Sequence, residues 1–335
     1  MNLVSSDKIS PELIELLSNT ELGTNGARYV HLDTKDRIKD ADNPLSYSLI
    51  RNGRLIANVT LCVREIGYYL RYFAFSVSFQ SKSKRKSSGK AKSTHLEQQI
   101  SQVFDQLVKD RPNHPLYAYI DPENDRSRLF SERFGFEQYA HIISRTYSRK
   151  NPKKDGNIVN IKSSDSILNT IRDDYGADEF YHEAHIKNGD YIGLNDNQGN
   201  LIAFAKFTKV HWRILSFPGR FGFFLVKVLP YIPILNKLIN PKNHFFLVPD
   251  AVFTKNNAPK DIEKLFNGAM CIYNVNSLIW FIDPNKEIYK RHRKQIRWGI
   301  LDKLLGEKKV AVVTRNQRKQ YCSKTPVFVS AFDLI

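Results

Sequence analysis

Residues 82–92 read Lys-Ser-Lys-Arg-Lys-Ser-Ser-Gly-Lys-Ala-Lys, six cations in eleven residues around one glycine. Such a stretch suits an anion, and its setting narrows the anion to phosphate. An apolar, strand-like run over 72–79 leads into it, and a helix-like run over 94–109 leads out. A strand, a glycine loop and a helix N-terminus bind phosphate because backbone N–H groups and the helix dipole converge on the anion. Lys- and Ser-rich runs are also the ordinary composition of solvated loops, so the elements around the stretch must decide between the two.

Those elements alternate as an α/β unit. A helix is expected over 10–17, where Ser10 caps the first turn and Pro11 sits inside it. A weaker helix is expected over 28–38. Strands over 45–50 and 55–63 follow, joined by an Asn52-Gly53 hairpin turn. The strand over 69–79 feeds the basic loop. The next helix places Leu96, Ile100, Val103, Phe104 and Leu107 on one face, and Pro112 and Pro115 end it. A buried strand over 116–120, a helix from 124 to Gly135 and a strand over 139–147 complete the unit.

Two stretches of this unit resemble signatures of the GCN5-related N-acetyltransferases (GNATs). Lys86-Ser-Ser-Gly89-Lys-Ala91 is similar to the family's Gln/Arg-x-x-Gly-x-Gly/Ala loop. Asn124, Ser127, Phe130, Gly135 and Phe136 fall at the spacing of its second signature. The resemblance implies an α/β fold with a mixed, mostly antiparallel central sheet flanked by helices. It implies an acyl-CoA, acetyl-CoA by default, as co-substrate, and no metal. Lys86, Ser87, Ser88, Gly89, Lys90 and Ala91 would hold the pyrophosphate, backbone near Phe79 and Ser81 would meet the thioester carbonyl, and Asn124 and Ser127 would touch the CoA arm.

Transfer to an amine in such enzymes is direct, with no covalent enzyme intermediate. It needs a deprotonated amine, a polarised carbonyl and a proton for the leaving thiolate. The family's usual acid is a Tyr at the position that here holds Ser131, and this is a departure. Tyr139 on the next strand is a substitute, although a half-buried strand aromatic is its ordinary reading. Glu65, at a strand end, and Asp121, where two strands part, are the candidate bases. Asp121 serves equally well as a helix cap.

A basic linker over 149–156 closes the unit at residue 148, and the same order recurs over 157–335. Strands are expected over 158–161, 191–194, 201–210, 245–253 and 278–282, with helices over 165–174, 177–187 and 262–273. Asn200-Leu-Ile-Ala203 repeats Arg54-Leu-Ile-Ala57, and Ile282-Asp-Pro284 repeats Ile120-Asp-Pro122. The tail is expected to form strands near 310–313 and 327–332. A repeat this long is a tandem domain duplication rather than a solenoid. The second copy looks degenerate. Its loop over 254–260 has no glycine and carries Pro259, which lacks an N–H, and Arg297-Trp298-Gly299 replaces the Gly-Phe ending.

The second copy also carries an apolar insertion over 212–242. From Phe221 to Ile239 its only charges are Lys227 and Lys237, and Pro230 and Pro233 interrupt it. It is too broken to span a bilayer, and two short helices at an angle are expected. Two readings of Ile214 to Ile239 stay open: peripheral contact with a membrane surface or a lipid acceptor, or packing between the two units.

A net charge of +17 favours anionic partners. The run over 286–297, with Trp280, Tyr289 and Trp298 near it, could meet nucleic acid, but a solvated basic helix is the ordinary explanation. His182 and His185 lack a zinc-binding pattern and are expected on a solvated helix face. Cys62, Cys271 and Cys322 are far apart and odd in number, which gives neither a disulfide framework nor a metal pair. The first residues lack the basic start and long apolar run of a signal peptide, so a cytoplasmic protein is expected, with at most peripheral membrane association. Two functions follow: an acyl-CoA-dependent N-acyltransferase with an unspecified amine acceptor, or a non-catalytic binding protein on the same fold that attaches to a membrane surface or nucleic acid through its basic and apolar surfaces.

Overall fold

In a computed structural model that describes residues 2–23, 27–76, 95–217, 219, 222–255, 258–317 and 325–335, without the side chains of 95, 96, 126 and 234, thirteen strands join in one sheet. They are β1 (Asn2–Ser6), β2 (Arg28–His31), β3 (Pro44–Arg51), β4 (Arg54–Arg64), β5 (Gly67–Phe75), β6 (Leu116–Ile120) and β7 (Glu137–Ser148) in the first half. The second half adds β8 (Ile158–Lys162), β9 (Asp190–Asn195), β10 (Leu201–Ser216), β11 (His244–Thr254), β12 (Ser277–Ile282) and β13 (Lys308–Arg315). The architecture is the expected one, a mixed and mostly antiparallel sheet flanked by helices.

Across the sheet the order is β1-β3-β4-β5-β6-β13-β7-β12-β11-β10-β9-β8. The last strands of the two halves have therefore changed places. β13 lies between β6 and β7, with Val312 opposite both Tyr119 and Ala140, while β7 pairs with β12, with Ser144 opposite Phe281. β2 also crosses over, placing Val30 and Tyr29 opposite Arg213 and Ile214 of β10. The halves are laced into one another by three strands.

Three local expectations are corrected. Residues 28–38 begin as strand β2, because Arg-Tyr-Val-His is β-branched and aromatic and finds an edge on β10; the helix is confined to Thr34–Arg37. Residues 177–187 are irregular rather than helical, with Phe180 at a φ of 62° and its ring stacked on Tyr117. Residues 327–332 form no strand; a single bridge joins Val327 to Glu179, and a short helix, Ala331–Leu334, follows.

The sheet opens twice. β5 and β6 run parallel but pair only at Tyr68↔Leu116 and Tyr69↔Tyr117. Gly67 makes that approach possible: its φ is +152°, and a Cβ there would lie 2.4 Å from the Pro115 carbonyl oxygen. Beyond Tyr69 the two strands diverge. β11 and β12 likewise pair only at Leu247↔Leu278. The helix His95–Asp110 covers the first opening, with Ile100, Phe104 and Leu107 packed on Leu61, Leu116, Phe134 and Phe136. The insertion forms the helices Gly222–Val228 and Pro233–Leu238, joined by a 3-10 turn at Leu229–Tyr231, as its prolines require.

Candidate active site

Where β5 leaves β6, a cleft of about 280 Å³ forms. Leu70, Phe73 and Phe75 line one wall, Ala118 to Ile120 the other, and the helix Asp125–Arg133 the floor. Asn124 caps that helix, its Oδ1 accepting from the Ser127 N–H at 3.2 Å. Gly135, at a φ of 71°, ends it, and Phe136 N–H returns to the Ser131 carbonyl at 2.8 Å. Phe130 packs on Phe73 with ring centroids 3.7 Å apart. The second signature is thus a capped helix whose inward side carries Asn124, Ser127, Phe130 and Ser131, all of which line the cleft.

The structure gathers some of the expected site residues and scatters others. Ser131 is buried in the cleft wall, and its hydroxyl donates to the Arg128 carbonyl at 2.8 Å. Tyr139 does not line the cleft; its ring meets Phe180 edge-on in a different part of the core. Glu65 is exposed in the β4–β5 turn, at the closed end of the strand pair. Asp121 sits at the open end of β6, where its Oδ1 accepts from the Glu123 N–H at 2.9 Å. Phe79, Ser81, Lys86, Ser87, Ser88, Gly89, Lys90 and Ala91 lie outside the described residues.

Asp121 faces a larger chamber of about 610 Å³ between the halves. β2, β7, β10, β12 and the insertion all contribute to it, through Tyr29, Ser144, Trp212, Ile214, Ile239 and Ser277 among others. Tyr119 lines both cavities. Tyr29 stacks on Trp212 at 4.0 Å, and burial together with the charge of Asp121 pushes its hydroxyl up to about 12, so it stays protonated. Burial drops His244 to about 4, leaving a neutral ring in the wall. Among the described residues, Trp212 Nε1 and the Ser277 hydroxyl are buried with no hydrogen-bond partner. Arg71 on β5 also lines the cleft, its guanidinium 4.5 Å from the Phe332 ring. Tyr29, Arg71 and Tyr119 escaped the sequence reading, because each looks like an ordinary strand residue until the halves come together.

The second opening holds chain instead of space. Val327, Phe328 and Val329 fill it and leave about 20 Å³. Their backbone is hooked in place: Val327 N–H donates to Asp283 Oδ2 at 2.9 Å, Phe328 N–H to the Glu179 carbonyl at 2.8 Å, and Ala331 N–H to Asp250 Oδ1 at 2.5 Å. The next residues are held by ions. Asp333 takes Arg64 at 2.7 Å and His182 at 3.3 Å, and Asp42 takes Arg64 at 2.9 Å and His185 at 2.8 Å. His182 and His185 are therefore internal struts rather than solvated residues, since their loop folds back over buried carboxylates. Burial pushes the Asp333 and Asp42 carboxyls up, but Arg64 and the two histidines outweigh it and hold both well below the usual range. Asp250, with its one backbone donor, is raised by burial to about 7. The basic run over 286–297 is partly internal too: Lys286 is buried against Asp178 at 2.9 Å, and Arg297 meets Glu263 at 3.2 Å. Among the described residues there is no cluster of metal-ligating side chains.

No protein-family model and no curated protein sequence matches the chain. Solved structures do. Saccharomyces cerevisiae N-myristoyltransferase with bound myristoyl-CoA superposes at a TM-score of 0.57 and 8% identity, over 98% of this chain and 85% of that one. A tandem GNAT protein from the clavulanic acid biosynthesis pathway superposes at 0.52 and 9% identity, over 95% of this chain and 100% of that one. At such identities the likeness is one of fold: two GNAT-type halves in tandem over nearly the whole chain.

Proposed function

We propose that this chain, which carries the tandem GNAT fold, is an acyl-CoA-dependent N-acyltransferase working from the cleft of its first half. Residues 1–148 supply the acyl-CoA site, and residues 157–335 close the acceptor side. The observation that carries the reading is the open β5/β6 cleft, floored by the Asn124–Ser131 helix face and sharing Tyr119 with a second chamber. One cavity suits the pantetheine arm and the other suits an amine. The loop Lys86–Ala91 brings cations and a glycine to the pyrophosphate.

In the reaction the amine nitrogen attacks the thioester carbonyl carbon, the C–S bond breaks, and CoA leaves as a thiolate that takes up a proton. The amine's proton leaves through a base, and of the two expected bases Asp121, at the chamber wall, is the one that can take it, since Glu65 lines neither cavity. Asn124 and Ser127 line the route of the CoA arm. Acetyl is the default acyl group. Incubation with acetyl-CoA and longer acyl-CoAs against a panel of amines, read by mass spectrometry, tests this. Transfer to at least one amine, lost on Ser127→Trp, is expected; CoA binding without any transfer contradicts it.

One observation favours the alternative of a non-catalytic binding protein on this fold. The Ser131 hydroxyl already donates its hydrogen bond to the Arg128 backbone carbonyl, and Tyr139 lies off the cleft, so neither of these two candidates is placed to protonate the thiolate. The same assay separates the two, because a binding protein retains CoA and turns nothing over.

A further inference from the structure

We propose that the insertion between β10 and β11 docks the protein on an anionic lipid surface. The corresponding connection in the first half is the turn Glu65–Ile66, whereas here it runs from Phe217 to Asn243. One side of the insertion is core: Leu229, Leu238 and Ile239 pack with Ile214 and with Leu301 of the helix Ile300–Leu305. The other side has no cover among the described residues. Phe223 is 62% exposed, Phe224 60% and Tyr231 83%, with Leu225 and Ile232 beside them in sequence, and Leu304 of the adjoining helix is 65% exposed. Exposed aromatics in this number on one short helix and the 3-10 turn that follows it are an unfinished surface.

Charge decides what finishes it. From Trp212 to Pro249 the chain has no Asp or Glu and five Lys or Arg residues. Arg213, Lys227, Lys237 and Lys242 are exposed, and the Lys227 ammonium lies 4.7 Å from the Phe223 ring centroid, at the margin of the apolar side chains. Apolar side chains on a segment with exposed cations, for which no carboxylate partner occurs among the described residues, match the boundary between acyl chains and anionic headgroups. Among the described residues no helix is long and apolar enough to cross a membrane, so the contact is with the surface. The segment's inner side reaches the chamber through Ile214, Phe217 and Ile239, which brings the docked lipid next to the acceptor side.

Flotation with phosphatidylcholine vesicles, with and without phosphatidylglycerol, tests the proposal and does so whether or not the cleft binds acyl-CoA. Wild type should bind the anionic vesicles, and raising salt from about 0.05 to 0.5 M should weaken binding about tenfold or more. Phe223→Asp plus Phe224→Asp should weaken it about a hundredfold with an unchanged melting temperature, since both side chains are already in water. Lys227→Glu plus Lys237→Glu should lose binding at low salt, and this pair keeps the test decisive if the first pair fails to fold. Indifference of wild type to phosphatidylglycerol overturns the proposal. So does binding unchanged in the lysine pair, or a dimer that the phenylalanine pair disperses while vesicles are ignored.

Discussion

Two openings in one sheet have met opposite fates. β5 parts from β6 beyond Tyr69 and leaves about 280 Å³; β11 parts from β12 beyond Leu247, and residues 327–329 leave about 20 Å³. Both pairs are parallel and meet at only one or two positions, so the difference lies in what occupies the gap. Asp121 and Asp283 occupy equivalent Ile-Asp-Pro turns. Asp121 faces the chamber, while Asp283 is buried and accepts the Val327 N–H. A splayed pair of strands is a place for an extended backbone, and the second half has supplied its own. The first half, among the described residues, keeps its cleft open, and its sequence carries a glycine and six cations at 82–92.

The largest effect that could break this contrast is loss of ligand from the first cleft. Ser127→Trp fills the space beside Phe130, and Gly89→Val denies close approach of a pyrophosphate to the loop backbone. Each should lower CoA affinity about a hundredfold or more by calorimetry. Unchanged affinity in both would mean that CoA lies elsewhere.

Next in size is the clasp on the plug. Asp333→Ala leaves buried Arg64 with Asp42 as its one carboxylate among the described residues and the Tyr117 hydroxyl beside it, and removal of one partner of a buried pair costs about 3–5 kcal/mol. Chemical denaturation should register that loss. A change below about 1 kcal/mol would mean that the plug stands on its apolar contacts alone.

Asp250 gives a smaller, pH-dependent effect. Its carboxyl rises from 3.8 to about 7 on folding. The folded state therefore keeps a proton that the unfolded state has lost, and the contribution to stability, full below pH 3.8, falls as pH rises to about 7. Asp178, raised to about 6 chiefly by burial, adds to the decline. Asp250→Asn still accepts from Ala331 and should flatten the fall by roughly 2–4 kcal/mol between pH 4 and 7. An unaltered slope would mean that Asp250 is charged in the folded protein.

The smallest effect concerns chemistry. If Ser131 protonated the leaving thiolate, Ser131→Ala would slow turnover about a hundredfold or more. Because its hydroxyl serves Arg128, less than about a tenfold change is expected. A larger one, with kcat falling and KM steady, would return Ser131 to the role of acid.

Much of this contrast was visible in the residues themselves. Local chemistry marks local events: Ser10 as a cap, Asn52-Gly53 as a hairpin with both φ angles positive, and Pro230 and Pro233 as breaks in the insertion, whereas the helix after β6 is capped by Asn124 and not by Asp121. The floor of the cleft was legible because Asn124, Ser127 and Phe130 share one short helix. What stayed hidden is long-range. Residues 310–313 read as a strand but carry no mark that they pair with β6 and β7, and 327–332 read as a strand because Val327 and Phe328 are apolar, when their partner is a gap. His182 and His185 looked solvated because Asp42 and Asp333, their partners, are about 150 residues away in either direction.

The central claim is that one cleft is open and the other is filled, and counting sites tests it most directly. Calorimetric titration of the intact chain with CoA should give one site per chain. A stoichiometry of two would mean that the plug at 327–329 yields to ligand, and no binding at all would mean that the open cleft of the first half is not a CoA site.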